Sequence, residues 1–228
     1  MDGETEAERS TAQKGVIAAA ALVYVAVVLI VDTLATRGVD VPFNWDILKW
    51  QTEGGFDVSR FVLWFLVPLG LVLPTMDWGY FGIRRWHRMD WGVLAACVLV
   101  GAVAVLCITL FPSLRAVYGS QADASTEGKW YFLSFNFQWT LSYLVGWRFM
   151  HHYLLLRPLS QLWPKYGWLI IPVYEGVYHL QKPLIEAVGM FAASAVLTYW
   201  AVKRRNALLP FAAHLIIELE LRVFQLFV

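Results

Sequence analysis

The sequence predicts an all-α protein, a polytopic bundle of about seven transmembrane helices. Hydrophobic residues make up 59% of the 228 residues and charged residues only 15%, whereas soluble domains carry about 25% charge. The apolar residues fall into seven runs separated by polar segments. The 12 Trp, 10 Tyr and 14 Phe suit the aromatic belts found at membrane interfaces. A net charge of +1 gives no basis for nucleic-acid binding, so the lipid bilayer is the predicted surrounding.

The first half of the chain predicts a polar tail followed by three spans. Residues 1–13 are rich in Glu, Ser, Thr and Gln and predict a disordered tail. Residues 15–34 form an apolar run of about the 20 residues that a bilayer requires. Residues 36–60 mix aromatic and charged residues and predict a surface segment, with an amphipathic helix near residues 42–50. The second and third spans are predicted at residues 61–76 and 91–111, with polar loops at residues 77–90 and 112–129.

The second half predicts the core of the bundle. Residues 130–228 contain four further apolar runs and form one membrane domain together with residues 14–129. The spans predicted here cover residues 130–157, 168–180, 184–202 and 207–228. The third of these is followed by the strongest basic cluster of the chain, Lys203, Arg204 and Arg205.

The distribution of basic residues predicts the orientation of the bundle. With seven spans and a cytoplasmic N-terminus, ten Lys and Arg residues of the loops lie inside and six outside. Cytoplasmic loops carry an excess of Lys and Arg. The sequence therefore predicts a protein of the cell inner membrane with its N-terminus in the cytoplasm.

Ionisable residues recur at a helical spacing inside the predicted core spans. Each of three spans carries a pair four residues apart, a spacing that places both side chains on one face of a helix. The pairs are Arg148 and His152, Glu175 and His179, and His214 and Glu218. Ionisable groups at membrane depth are costly and face the interior of a bundle, so we expect the three pairs to converge.

Three ionisable residues close to these pairs lead to expectations of their own. His151 points about 100° away from His152 on an α-helix, so we expect it to face lipid headgroups or a neighbouring helix. Glu220 and Arg222 are two residues apart and lie on different faces of the last span. At least one of them must face a protein partner rather than lipid, which favours an assembly.

Three sequence elements around the polar pairs occur in the order of a known set of motifs. W-R-F-M-H-H-Y-L begins at Trp147, Y-E-G-V-Y-H-L-Q-K-P at Tyr174, and L-P-F-A-A-H-L-I-I-E at Leu209. They resemble the Glu-x-x-x-Arg, Phe-x-x-x-His and His-x-x-x-Asn/Asp elements of the CAAX-processing and bacteriocin-processing family of intramembrane glutamic endopeptidases. The resemblance covers about two thirds of the chain. It implies that His179 and His214 match the family histidines that hold or polarise water and the oxyanion.

The chain departs from that family at four motif positions. Arg148 stands where the family has the glutamate that activates the attacking water as general base, and arginine cannot be deprotonated in a protein. His152 stands at the family's arginine, Glu175 at its phenylalanine and Glu218 at its terminal Asn or Asp. The general base of the family is therefore absent from its usual place.

Three functions are compatible with this pattern. In the first, the chain is a non-hydrolytic relative that serves as a structural or assembly subunit of a membrane complex with other proteins. An unpaired buried charge is costly, so Arg148 would then pair with Glu175 or Glu218. In the second, it is an active endopeptidase that cuts hydrophobic or lipidated peptides, with Glu175 as a relocated base. The catalytic set would be Glu175, His179, His214 and Glu218, with Arg148 and His152 as binding residues.

The third function is a metal or haem site. The histidines His152, His179 and His214, joined by Glu175 or Glu218, offer ligands that suit zinc, iron or copper. The sequence contains no HExxH or CxxC element. Apart from such a transition metal, no cofactor is predicted.

Overall fold

The described part of the chain is helical throughout. The computed structural model describes residues 2–37, 48–81 and 86–227, and within them it contains no strand beyond an isolated bridge between Gln51 and Asp57. The predicted all-α class is confirmed for these residues. Most of the amphipathic helix predicted near residues 42–50 lies outside them.

Three helices are long and apolar enough to cross a membrane, as counted over the described residues. They are Thr11–Thr36, Arg88–Cys107 and Leu184–Arg204. Many of their large apolar side chains point away from the protein, including Val23, Leu99 and Val188, each at least 60% exposed. An apolar outer surface of this extent is typical of contact with lipid, and the finding indicates a membrane protein. The other four predicted spans are also helical, although they do not meet this criterion of length and composition.

The first helix, α1, extends over Asp2–Thr36. It includes residues 2–13, for which the sequence predicts a disordered tail. Glu, Ala, Arg and Gln in this segment are favourable helix formers, and they extend a helix that the apolar residues after Lys14 already nucleate.

The second helical run packs closely against the centre of the bundle. It consists of α2, Val58–Arg60, a π-helical segment, Phe61–Leu66, and α3, Val67–Val72. Its Trp64 lies against Gly146, where an added Cβ would stand 2.5 Å from the Trp64 Cβ. Glycine at this point allows the two backbones to approach, as small residues do between membrane helices.

The third helical region comprises α4, Arg88–Cys107, and the short α5, Pro112–Val117. Asp90 in the first turn of α4 accepts a hydrogen bond from the His87 backbone N–H at 2.7 Å, which satisfies a free amide at the start of the helix. The same buried carboxylate accepts a bond from Trp200 at 2.8 Å. It therefore ties the beginning of α4 to a distant helix.

A long central run forms the axis of the bundle. It begins with α6, Thr126–Phe149, passes through a second π-helical segment, Met150–Leu155, and ends with α7, Leu156–Leu162. The main hydrophobic core forms where this run meets α1. Its buried members include Ala21 and Val25 of α1 and Leu156 of α7.

The last three helices complete the bundle. They are α8, Ile170–Tyr178, α9, Leu184–Arg204, and α10, Leu208–Phe224. Helix α8 packs antiparallel to α9: Trp168 just before it contacts Tyr199, with ring centroids 5.5 Å apart. With nine residues, α8 is only about 14 Å long at 1.5 Å per residue.

Ion pairs and backbone bonds identify one common end of the bundle. Asp77 pairs with Arg205, and Asp90 lies 3.4 Å from Arg204. The loop before α4 and the end of α9 therefore lie together. Helix α1 runs antiparallel to the π segment Phe61–Leu66 and its flanks, because Asp32 meets Arg60 while the earlier Tyr24 meets the Leu63 carbonyl. The N-terminal part of α1 consequently points toward this same end.

Candidate functional site

The site centres on Arg148, in the last turn of α6. Its side chain is 4% exposed and joins two other helices. Nη1 donates to Oε1 of Glu175 on α8 at 2.8 Å, and Nη2 donates to Nδ1 of His214 on α10. One member of each predicted pair thus meets the other two, and Arg148 is bonded to Glu175, one of its two expected partners.

Glu175 is fully buried and held on one oxygen. Besides Arg148, the indole N–H of Trp147 donates to Oε1 at 3.1 Å. The other oxygen, Oε2, has no hydrogen-bond partner among the described residues. The carboxylate is thus anchored by two donors from successive residues of α6 and keeps one free oxygen.

The network continues along α10 through residues spaced by four. Since Arg148 donates to Nδ1 of His214, the ring proton of that histidine sits on Nε2, which lies 3.6 Å from Oε1 of Glu218. Oε2 of Glu218 lies 3.4 Å from Nη2 of Arg222. Residues four apart share a helix face, and here they carry one line of charges from the centre of the bundle toward the end of α10.

The charges in this line alternate. In spatial order, a carboxylate, a guanidinium, an imidazole, a carboxylate and a guanidinium follow one another: Glu175, Arg148, His214, Glu218 and Arg222. Each ionised group has an opposite charge beside it or across the imidazole. Buried charges are stable under this condition.

His152 lies close to this line but bonds elsewhere. Its Nε2 is 3.3 Å from the Thr198 hydroxyl of α9, and Nδ1 has no hydrogen-bond partner in the described chain. The sequence places it on the face of Arg148, but it lies in the π-helical segment Met150–Leu155. A π-helical turn holds more residues than an α-helical turn, so the four-residue spacing does not keep the two side chains on one partner.

His151, for which we expected a position at the headgroups or a neighbouring helix, is fully buried. Its Nδ1–H donates to the Trp147 carbonyl at 2.8 Å, and its ring contacts Tyr174 of α8 with centroids 6.3 Å apart. The neighbouring-helix alternative is therefore the correct one. His151 lies in a π-helical turn, which holds more residues than an α-helical turn. The 100° angle between successive residues of an α-helix therefore does not give the direction of its side chain.

His179 lies at the end of α8 and is nearly buried. Its Nδ1–H donates at 2.7 Å to the Glu175 carbonyl, which also accepts the backbone N–H of His179 in the last turn of that helix. Its ring meets the edge of Trp147, with centroids 6.4 Å apart. The four-residue spacing thus joins His179 to the Glu175 backbone, while the Glu175 carboxylate turns to α6.

The metal hypothesis for His152, His179 and His214 has no geometric support. No group of three or more His, Cys, Asp or Glu side chains in the described residues is arranged to hold a metal ion. Nδ1 of His214 is occupied by Arg148, and Nδ1 of His179 by a carbonyl. To bind a metal through Nδ1, His214 would have to give up its bond to Arg148, and His179 its bond to the Glu175 carbonyl.

Three residues of the network were not singled out from the sequence. Trp147 and Thr198 donate or accept single hydrogen bonds, a role that no spacing rule reveals. Arg222 was recognised only as a neighbour of Glu220, although its four-residue distance from Glu218 repeats the spacing of the other pairs. That distance was the signal that could have identified it.

A second polar group lies at the start of α9. The Tyr118 hydroxyl donates to Oε1 of Glu186 at 2.7 Å, and Nζ of Lys182 approaches the same oxygen at 2.7 Å. Burial and the Glu186 carboxylate raise the pKa of the Tyr118 hydroxyl, so it remains a hydrogen-bond donor. The group fixes the loop after α5 to the end of the bundle opposite Arg204.

Comparison of the chain with protein-family models, with curated proteins and with solved structures gives no match.

Proposed function

We propose that this chain is an integral membrane protein that hydrolyses no peptide bond and serves as a structural or assembly subunit of a membrane complex. The observation that carries the proposal is the set of hydrogen bonds that the Glu175 carboxylate accepts. This carboxylate, the one that could replace the family's missing general base, gives its Oε1 to Arg148 and Trp147. Its partners belong to the protein framework rather than to a water-activating site.

A general base needs a lone pair directed at the water whose proton it removes. On Glu175, Oε1 already accepts two protein hydrogen bonds. His214, which the resemblance assigns to water or oxyanion binding, has Nδ1 bonded to Arg148 and Nε2 facing Glu218. Oε1 of Glu175 and both ring nitrogens of His214 therefore face protein groups that join α6, α8 and α10.

We also propose the topology that the sequence predicts, with seven helical segments and the N-terminus in the cytoplasm of a cell with an inner membrane. Support comes from the basic end of the bundle. Arg204 and Arg205 lie there with Asp90 and Asp77, and the N-terminal part of α1 points the same way. A basic end is the cytoplasmic end under the positive-inside rule.

The test is a cleavage assay on the purified chain in detergent micelles and in vesicles, with hydrophobic and prenylated peptides as probes. We expect the wild-type protein to release no more product than Glu175→Gln or His179→Ala. Mass spectrometry of the peptides provides the readout. Cleavage by the wild type that is lost in a folded Glu175→Gln variant would overturn the proposal.

The second candidate function is the endopeptidase with Glu175 as its base. One observation favours it: Oε2 of Glu175 is buried and without a hydrogen-bond partner in the described chain, so one oxygen remains available to a water. The two functions differ in the effect of Arg148→Met. An endopeptidase would retain or gain activity when its base is released, whereas the structural subunit would lose stability and show no cleavage.

A further inference from the structure

The bundle neutralises its buried charges within the chain. Ion pairs join the ionisable side chains of the described helices from one helix to another or within a turn. They are Asp32 with Arg60, Asp90 with Arg204, Arg148 with Glu175, Lys182 with Glu186, and Glu218 with Arg222. An ionised side chain without such a partner is expensive at membrane depth.

Glu220 of α10 departs from this pattern. Among the described residues no Lys, Arg or His forms an ion pair with it, and its Oε2 is buried without a hydrogen-bond partner. Arg222, the other charged residue near it, is turned inward to Glu218 and Gln225. Of the two residues that the sequence set on different faces of α10, Glu220 is the one left for an outside partner.

The position of Glu220 is fixed by its contact with α4. A Cβ added to Gly101 would stand 3.1 Å from Oε2 of Glu220 and 2.5 Å from Cγ1 of Ile217. Gly101 lies inside Arg88–Cys107, a helix long and apolar enough to cross the membrane. It precedes the end of that helix by six residues, about 9 Å at 1.5 Å per residue. The Glu220 carboxylate therefore lies at hydrocarbon depth, on the line where α4 and α10 meet.

The surface around this line is apolar. Ile217 lies on it, and Val223, three residues after Glu220 on α10, is 48% exposed. A carboxylate set in an apolar helical surface offers packing area and one strong electrostatic contact. Its charge selects a cationic partner.

A second copy of this chain does not supply that cation from its described membrane-level helices. Arg60, Arg148 and Arg222 are each engaged with a carboxylate of the same chain. In a symmetric dimer, Glu220 of each copy would meet arginines that already pair with a carboxylate of their own chain. The described residues of a second copy therefore favour a different protein as the source of the complementary charge.

We propose that the α4–α10 surface at Glu220 binds a transmembrane helix of another protein, one that carries lysine or arginine at hydrocarbon depth. The inference rests on the proposed assembly function and names the surface and the chemistry of its partner. Pairing in the membrane would neutralise the Glu220 carboxylate, which forms no ion pair with the described residues of its own chain.

The experiment uses the full chain in the membranes of its source organism, with a benzophenone amino acid in place of Val223 as the probe. Irradiation is expected to give an adduct whose crosslinked peptide lies in an apolar segment containing Lys or Arg. Glu220→Gln should reduce the adduct about tenfold, the equivalent of 1.4 kcal/mol. Glu220→Asp, which keeps the charge, should retain most of it, and Glu127→Gln, an exposed carboxyl change in the first turn of α6, should leave it unchanged.

Four results would overturn the proposal, three at the Val223 probe and one at a control site. The first is an adduct with lipid alone, and the second an adduct with a second copy of this chain. The third is an equal adduct yield with Glu220→Gln in a variant that is folded and inserted. The same probe at Val188, on the outer face of α9, serves as the site control. A protein adduct at Val188 but not at Val223 would reject this surface while leaving the assembly function in place.

Discussion

Arg148 is the residue on which three helices depend. Its guanidinium donates to Glu175 on one side and to His214 on the other, so it neutralises one carboxylate and positions an imidazole at the same time. Removing one member of a buried ion pair typically costs about 3–5 kcal/mol, because the remaining charge stays buried without compensation. Arginine suits the position because its planar group has donors on several sides.

The same reasoning explains why Glu218 accompanies His214. The imidazole receives a hydrogen bond on Nδ1 and directs Nε2–H toward the Glu218 carboxylate. These two contacts place the proton of the neutral ring on Nε2. Arg222 then completes the charge balance of that carboxylate. At the residue scale, Glu175, Arg148, His214, Glu218 and Arg222 form one network in which the charges balance.

At the scale of elements, the π-helical segments determine which side chains enter the core. The segment Met150–Leu155 turns His151 inward and directs His152 to Thr198. The segment Phe61–Leu66 brings Trp64 against Gly146. Both segments lie where helices cross closely, as π-helical turns often do at specialised positions.

Gly146→Ala tests the close approach of these two helices. The added methyl group would lie 2.5 Å from the Trp64 Cβ, so we expect a loss of about 1–3 kcal/mol in unfolding free energy from overpacking. Gly70→Ala is the matched control, because a Cβ there has nothing within 4 Å, and its effect should stay within about 1 kcal/mol. Equal effects of both changes on the unfolding free energy in micelles would contradict the described packing.

The sequence predicted the positions of the helices well and the details of the site in part. Long apolar runs and four-residue spacings are local properties, and the spacings selected Arg148, Glu175 and His214, which are in contact in the structure. The partner of His152 depends on a π-helical turn, whose extra residue leaves no periodic signal. The hydrogen bond from Trp147 to Glu175 depends on how α6 and α8 pack against each other. The spacing of residues along the sequence does not reveal such packing.

For the whole molecule, the proposed topology requires that the basic clusters share one side of the membrane. Arg204 and Arg205 join the segment before α4, while Lys182, Tyr118 and Glu186 gather at the opposite end. The alternation of helix directions between these ends supports the proposed topology. Glu220, which forms no ion pair among the described residues, lies between these two ends, within the apolar layer.

Cysteine labelling tests this arrangement. In a chain with Cys97 and Cys107 replaced by serine, Lys14→Cys and Lys203→Cys should react with a membrane-impermeant maleimide from the same side. Ser120→Cys should react only from the other side, because Gly119 beside it binds Gln225 at the far end of α10. Labelling of Lys14→Cys and Lys203→Cys from opposite sides would contradict the topology.

The coupling between Arg148 and Glu175 in unfolding free energy tests whether this ion pair is the structural centre of the protein. It can be measured by detergent titration of the full chain. If the pair holds the bundle together, Arg148→Met alone should cost about 3–5 kcal/mol, and adding Glu175→Gln should recover part of that loss, with a coupling of roughly 2–3 kcal/mol. Arg148→Met combined with the distant, exposed Asp123→Asn should be additive. A coupling between Arg148 and Glu175 within about 0.5 kcal/mol of zero would contradict the claim that this ion pair is the structural centre of the protein.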